Sequence, residues 1–161
     1  MALRQDWSEH PCPIARAVDI VGDPWVVLIL REAFTGTRRF EKFRDRLGIA
    51  DNVLSKRLQL MVDAGLLERS SYRGEQRTHH EYLLTESGQE LLPLLHTLAL
   101  WGERHTTPPQ RSAHMTILHS TCGAATTQSE RCSNCGEPMT AQTTQWRRTW
   151  IDRAAVDLEP A

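Results

Sequence analysis

A chain of 161 residues accommodates one ordinary domain with its own core plus a small appendage that needs help to fold. With 40% hydrophobic and 24% charged residues it sits among globular proteins and away from disordered ones. Likewise, no apolar run approaches the roughly 20 residues that span a bilayer. The net charge of −1 argues at first against a polyanionic partner, but the charge is segregated: residues 38–77 hold ten Lys/Arg against six Asp/Glu, a local balance of +4. Binding to phosphate depends on potential within a Debye length of about 8–10 Å, so the local balance outweighs the sum.

The opening MALRQDWSEHPCP lacks the apolar stretch of a signal peptide, which predicts a cytoplasmic chain. In that reducing setting four cysteines point to metal ligands or reactive thiols rather than disulfides. Cys12-Pro13 opens a first helix, with Ile14, Ala17, Val18 and Val21 as its apolar stripe and Gly22 as its stop. Asp23-Pro24 repeats the start signal before the apolar run from Trp25 to Phe34, whose Pro-to-Gly brackets favour a core helix over a buried strand.

Residues 39–47 put Phe40, Phe43 and Leu47 on one face of an amphipathic helix that Gly48 breaks. After a short turn, residues 51–64 form a second amphipathic helix with Leu54, Leu58, Met61 and Val62 inward and Gly65 as its stop. Two such helices across a three- to four-residue turn make a helix-turn-helix, or else any antiparallel hairpin. The next residues decide: Leu66–Tyr72 and His80–Leu84 are strand candidates around a polar turn, the wing of a winged helix. Thr85-Glu-Ser-Gly88 then caps one long helix over 86–104, whose wide apolar face, with Leu91, Leu92, Leu95, Leu98, Ala99 and Trp101, implies dimer contact, or in part packing onto the first helix.

Across about residues 10–105 the chain resembles the HxlR subgroup of the MarR-like winged-helix regulators. The resemblance is carried by Cys12-Pro13, Ile20-Val-Gly-Asp-Pro-Trp25, Leu28-Ile-Leu30, Gly36-Thr-Arg-Arg-Phe40, Gly48-Ile49, Leu54 and Arg57-Leu58. It continues through Ala64-Gly-Leu-Leu-Glu-Arg69, Glu81-Tyr-Leu-Leu-Thr-Glu-Ser-Gly88 and Leu100-Trp-Gly102. It implies an α+β winged helix in a homodimeric repressor or activator of transcription, answering to an electrophile, an oxidant or a small ligand. Pro24 stands where such proteins usually carry a basic residue, and Thr78-His79 lacks their usual wing proline.

In a major groove, the helix at 51–64 would turn Asn52, Ser55, Lys56 and Gln59 toward base edges. Arg38, Arg39 and Lys42 would hold phosphates and fix register without reading sequence. Arg73 and Arg77 on the wing would enter the minor groove of the operator duplex. Each of these, taken singly, is also what a solvated surface looks like.

After Pro108-Pro109 the composition turns small and polar around His119-Ser-Thr-Cys122-Gly123 and Cys132-Ser-Asn-Cys135-Gly136. Two knuckles that each offer two ligands predict a closed, structural Zn²⁺ site on His119, Cys122, Cys132 and Cys135. The expected division is a winged-helix and dimerisation domain over 1–107 and a zinc-ribbon-like extension over 108–161. A disulfide between Cys132 and Cys135 that ejects the metal is the runner-up. Cys12, at a helix N-terminus that favours thiolate, is a candidate redox sensor or a small buried residue. A zinc-ribbon protein-interaction module is the main alternative function. A zinc enzyme is the weaker one, because four protein ligands leave no open position.

Overall fold

The structure is a computed structural model of the chain and describes residues 6–73 and 78–159. Its elements run α1 (Pro13–Val21), α2 (Pro24–Phe34), α3 (Phe40–Leu47), α4 (Asp51–Asp63), β1 (Leu67–Arg73), β2 (Thr78–Leu84), α5 (Glu86–Gln89), α6 (Leu92–His105), β3 (Met115–His119), β4 (Thr144–Arg148) and β5 (Ala155–Asp157). The helix expected over the apolar run is α2. Its first turn is held by the Asp23 carboxylate, which accepts the Trp25 N–H at 2.9 Å, while Pro24 at the first position has no N–H to satisfy. The second carboxylate oxygen meets Arg57 Nη2 at 2.7 Å, so one acid both caps α2 and anchors α4.

β1 and β2 pair antiparallel from Leu67↔Leu84 to Arg73↔Thr78, and Tyr82 N–H donates to Arg38 C=O at 2.8 Å, stitching the segment before α3 to the wing. The core beneath is built from Ile29, Leu30, Phe34, Phe43, Leu54, Leu58 and Met61, all 1% exposed or less. The single helix expected over 86–104 is instead two. α5 stops at Gln89 and α6 starts at Leu92, because Pro93 offers no N–H and its ring would strike the Gln89 carbonyl of a continuous helix. The wide apolar face divides accordingly: Leu92 and Leu95 are buried, whereas Leu94, Leu98 and Trp101 are exposed.

The C-terminal segment forms an antiparallel sheet in the order β3-β4-β5, with Ile117↔Trp146 and Trp146↔Val156 in register. The stretch 146–150 is the end of β4 and the turn after it. Trp146 is 1% exposed and leans on Phe34 with ring centroids 6.1 Å apart, so Ile117, Met139, Trp146 and Leu158 belong to the same apolar cluster as α2 and α6. Beyond β5, Glu159 N–H donates to Phe34 C=O at 2.8 Å.

Buried polar groups complete that seam. Trp146 Nε1–H donates to His96 Nε2 at 3.1 Å, and His96 Nδ1 lies 2.9 Å from Ser129 C=O. This pairing fixes a neutral imidazole with its proton on Nδ1, since a second proton on Nε2 would face the indole N–H. Burial accordingly holds the His96 pKa below its ordinary value, against the pull of the Ser129 carbonyl. A depressed histidine pKa favours the fold at and above the unfolded value of about 6.5, and this contribution drains away as pH falls and the unfolded chain takes up the proton. Chemical denaturation on either side of that pH should show the wild type losing stability in acid and His96→Gln losing less.

Candidate nucleic-acid interface and metal centre

α4 buries Leu54, Leu58 and Met61, and the 3.6-residue period leaves Asn52, Ser55, Lys56 and Gln59 exposed on the opposite side. Gln59 Nε2 donates to Asp63 Oδ1 at 2.8 Å, one turn on. Ser55, Lys56 and Gln59 also wall a groove of about 740 Å³ whose far side is Asp19 and Ile20 of α1.

The three cations assigned to phosphates converge on a second cleft of about 290 Å³, lined by Gly36, Thr37, Arg38, Arg39, Lys42, Arg46 and Glu81. Arg39 Nε pairs there with Glu81 Oε1 of the wing at 3.3 Å. Among the described residues, Arg38 and Lys42 have no ion-pair partner. Sequence reasoning missed Arg46, which sits four residues after Lys42 and so on the same face of α3; that spacing was the available signal. Arg73 closes β1, while Arg77 lies outside the described residues.

At the other end of the molecule, β3 delivers His119, and its knuckle turns back through Gly123 at φ 70°, whose N–H bonds the His119 carbonyl at 2.8 Å. The second knuckle repeats the device: Gly136 at φ 78° donates to the Cys132 carbonyl at 2.8 Å. A left-handed residue at these two turns is what glycine supplies without strain. The donor atoms of His119, Cys122, Cys132 and Cys135 all lie within 4.8 Å of one another. His119 Nδ1 is 3.4 Å from Cys122 Sγ and 3.2 Å from Cys135 Sγ, and Cys122 Sγ is 3.7 Å from Cys132 Sγ.

Ligands about 2.0–2.3 Å from a tetrahedral ion stand about 3.5–3.8 Å apart, so these three separations fall within a few tenths of an ångström of such edges, while the set as a whole spans up to 4.8 Å. Amide N–H groups of Cys135 and then Asn134 aimed at the Cys132 sulfur lower its thiol pKa. At Cys135 the N–H of Glu137 acts the same way, but burial and the neighbouring thiols push the pKa up. Cys12 is a half-buried free thiol at the start of α1 and is no member of this cluster.

Residues 20–110 match the family model of HxlR-like helix-turn-helix proteins. The chain belongs to that HxlR-like family. An uncharacterised HTH-type transcriptional regulator of Mycobacterium tuberculosis, Rv3095, is 39% identical to it over 129 residues, 80% of each chain. The crystal structure of PA1607, described as a transcription factor, superimposes with a TM-score of 0.68 at 34% identity, covering 85% of this chain and 94% of that one. The reduced form of the redox regulator HypR superimposes with a TM-score of 0.53 at 28% identity, over 58% of this chain and 92% of its own. This HxlR-like protein is a DNA-binding transcriptional regulator on a winged-helix fold. Among the described residues, no helix is long and apolar enough to cross a membrane.

Proposed function

We propose that the chain works as a homodimeric repressor whose α4 reads an operator in the major groove and whose C-terminal segment, residues 108–161, is a zinc-stapled extension of the winged helix at 1–107. The observation that carries the DNA reading is the exposed row Asn52, Ser55, Lys56 and Gln59 set beside the cationic cleft of Arg38, Arg39 and Lys42. Asn and Gln match adenine, Lys matches guanine and Ser serves either, while the cleft grips the backbone. Arg73 and Arg77 would add a minor-groove contact from the wing.

Two copies are favoured by α1, which buries none of its nine residues and leaves Ile14 72% exposed, and by the exposed Leu98 and Trp101 of α6. A two-fold dimer would set its two α4 helices at half-sites about 34 Å apart. Bound zinc would hold the two knuckles together on His119, Cys122, Cys132 and Cys135 and stabilise the fold, with all four positions taken by protein. The inducing signal is an electrophile or oxidant acting at Cys12. Its place at the N-terminus of α1, and the likeness to a redox regulator, support that choice.

Lys56→Ala should weaken operator binding by about 1–3 kcal/mol and leave random DNA nearly untouched. Arg39→Ala should weaken both alike, which paired gel shifts on the two duplexes would show. Protein purified without chelator should carry one zinc per chain by elemental analysis and lose it in Cys135→Ser; a metal-free wild type with three reactive tail thiols would end the zinc reading. Release of operator by diamide should disappear in Cys12→Ser, and an unchanged release would remove Cys12 as the sensor.

A further inference from the structure

Glu32 of α2 is 1% exposed, yet it serves three guanidinium groups from three elements. Arg148 Nη1 of β4 meets its Oε1 at 2.8 Å, and Arg31 Nε of the same helix meets that oxygen at 2.9 Å. Its other oxygen holds Arg46 Nη1 of α3 at 3.2 Å. Arg148 is itself buried, 6% exposed, and spends a further N–H on Thr35 Oγ1 at 3.3 Å, so the C-terminal sheet is bolted to the segment that leads into α3. Arg46 is the most exposed of the three: its side chain is 48% exposed, and it lines the cleft that also holds Arg38 and Lys42.

That cleft carries a second sign of an anionic ligand. Thr37 is 4% exposed and lines it, and the Thr37 hydroxyl has no hydrogen-bond partner among the described residues. A buried hydroxyl without an acceptor is costly, and an incoming phosphate oxygen would supply the missing partner.

We infer that this cleft seats one backbone phosphate of duplex DNA and that Arg148, acting through Glu32, is the positioning residue that keeps Arg46 in it. The physical reason is charge balance at Glu32. With Arg148 and Arg31 on Oε1, Arg46 needs only Oε2, and its other N–H groups are available to the cleft it lines. Without Arg148 a buried carboxylate loses its best partner, and the cation free to move toward it is Arg46. The guanidinium then closes on Glu32 and leaves the phosphate. The same β3–β4 ladder that pairs Met115 with Arg148 at one end pairs His119 with Thr144 at the other.

The inference rests on the DNA reading given above for Arg38, Arg39 and Lys42, and the experiment separates the two. Full-length protein is titrated with a fluorescein-labelled random-sequence duplex over a range of salt, and the slope of log K against log salt is read for each variant. Arg46→Met should make that slope shallower by about one phosphate contact. Arg148→Met should do the same although the residue is buried. The double variant should lose no more than either single one, because Arg46 has already left the cleft. Glu32→Gln combined with Arg148→Met should restore the wild-type slope, since no carboxylate remains to draw Arg46 away.

Should Arg148→Met melt at the assay temperature, Arg148→Gln, which keeps a donor at Glu32, carries the same expectation. A wild-type slope in a folded Arg148 variant, or additive losses in the double variant, overturns the relay. An Arg46→Met variant with an unchanged slope overturns the phosphate seat itself.

Discussion

A carboxylate sealed from water must be neutralised where it sits, and Glu32 is the group around which the rest of this molecule is arranged. Burial pushes its pKa up, but the charges of Arg148 and Arg31 and the hydrogen bond from Arg46 prevail and hold it below the usual carboxylate range. Removing one partner from such a cluster costs about 3–5 kcal/mol, whereas exchanging the whole cluster for well-packed apolar side chains is often neutral. The ion pairs therefore contribute less to raw stability than to geometry. They specify which face of the C-terminal sheet meets α2 and at what height along it, a precision that apolar packing around Trp146 alone would not impose.

The C-terminal segment is thus held twice, by different physics. At one end Trp146, Ile117 and Leu158 enter the apolar core, which closes by area removed from water and needs no ion. At the other, the knuckles bury His119 and Cys132 but leave Cys122 and Cys135 exposed, and a metal ion shared by the four would tie the two turns together. Were the knuckles to loosen, the sheet would still be docked through its tryptophan.

Much of this was legible in the sequence, and the misses follow a rule. Local signals performed well: the Asp23-Pro24 start of α2, the inward Leu54, Leu58 and Met61 of α4 and the paired x-x-Cys-Gly turns each announce themselves within a few residues. The break at Pro93 was also local, and a stricter weight on proline inside an apolar helical pattern would have found it. What could not be read were the partners of buried polar side chains. Glu32 and Arg148 are 116 residues apart, and nothing in either neighbourhood says that one will neutralise the other. His96 likewise stands among leucines with no clue that an indole N–H fifty residues on supplies its bond. The polar character of residues 108–161 suggested an appendage that needs help to fold. One buried tryptophan, invisible as such in the composition, made that segment part of the main core.

α1 offers a different kind of consequence. A nine-residue helix that buries none of its side chains is shorter than the roughly 12–15 residues at which an isolated helix becomes even marginal in water. Ile20 and Val21 lean on the core, whereas Ile14 and Val18 find no such cover among the described residues. If a second copy supplies it, the order of the N-terminal segment, and with it the surroundings of Cys12, becomes a property of concentration. The melting point then climbs with protein concentration, and the reactivity of that thiol reports assembly as much as oxidant.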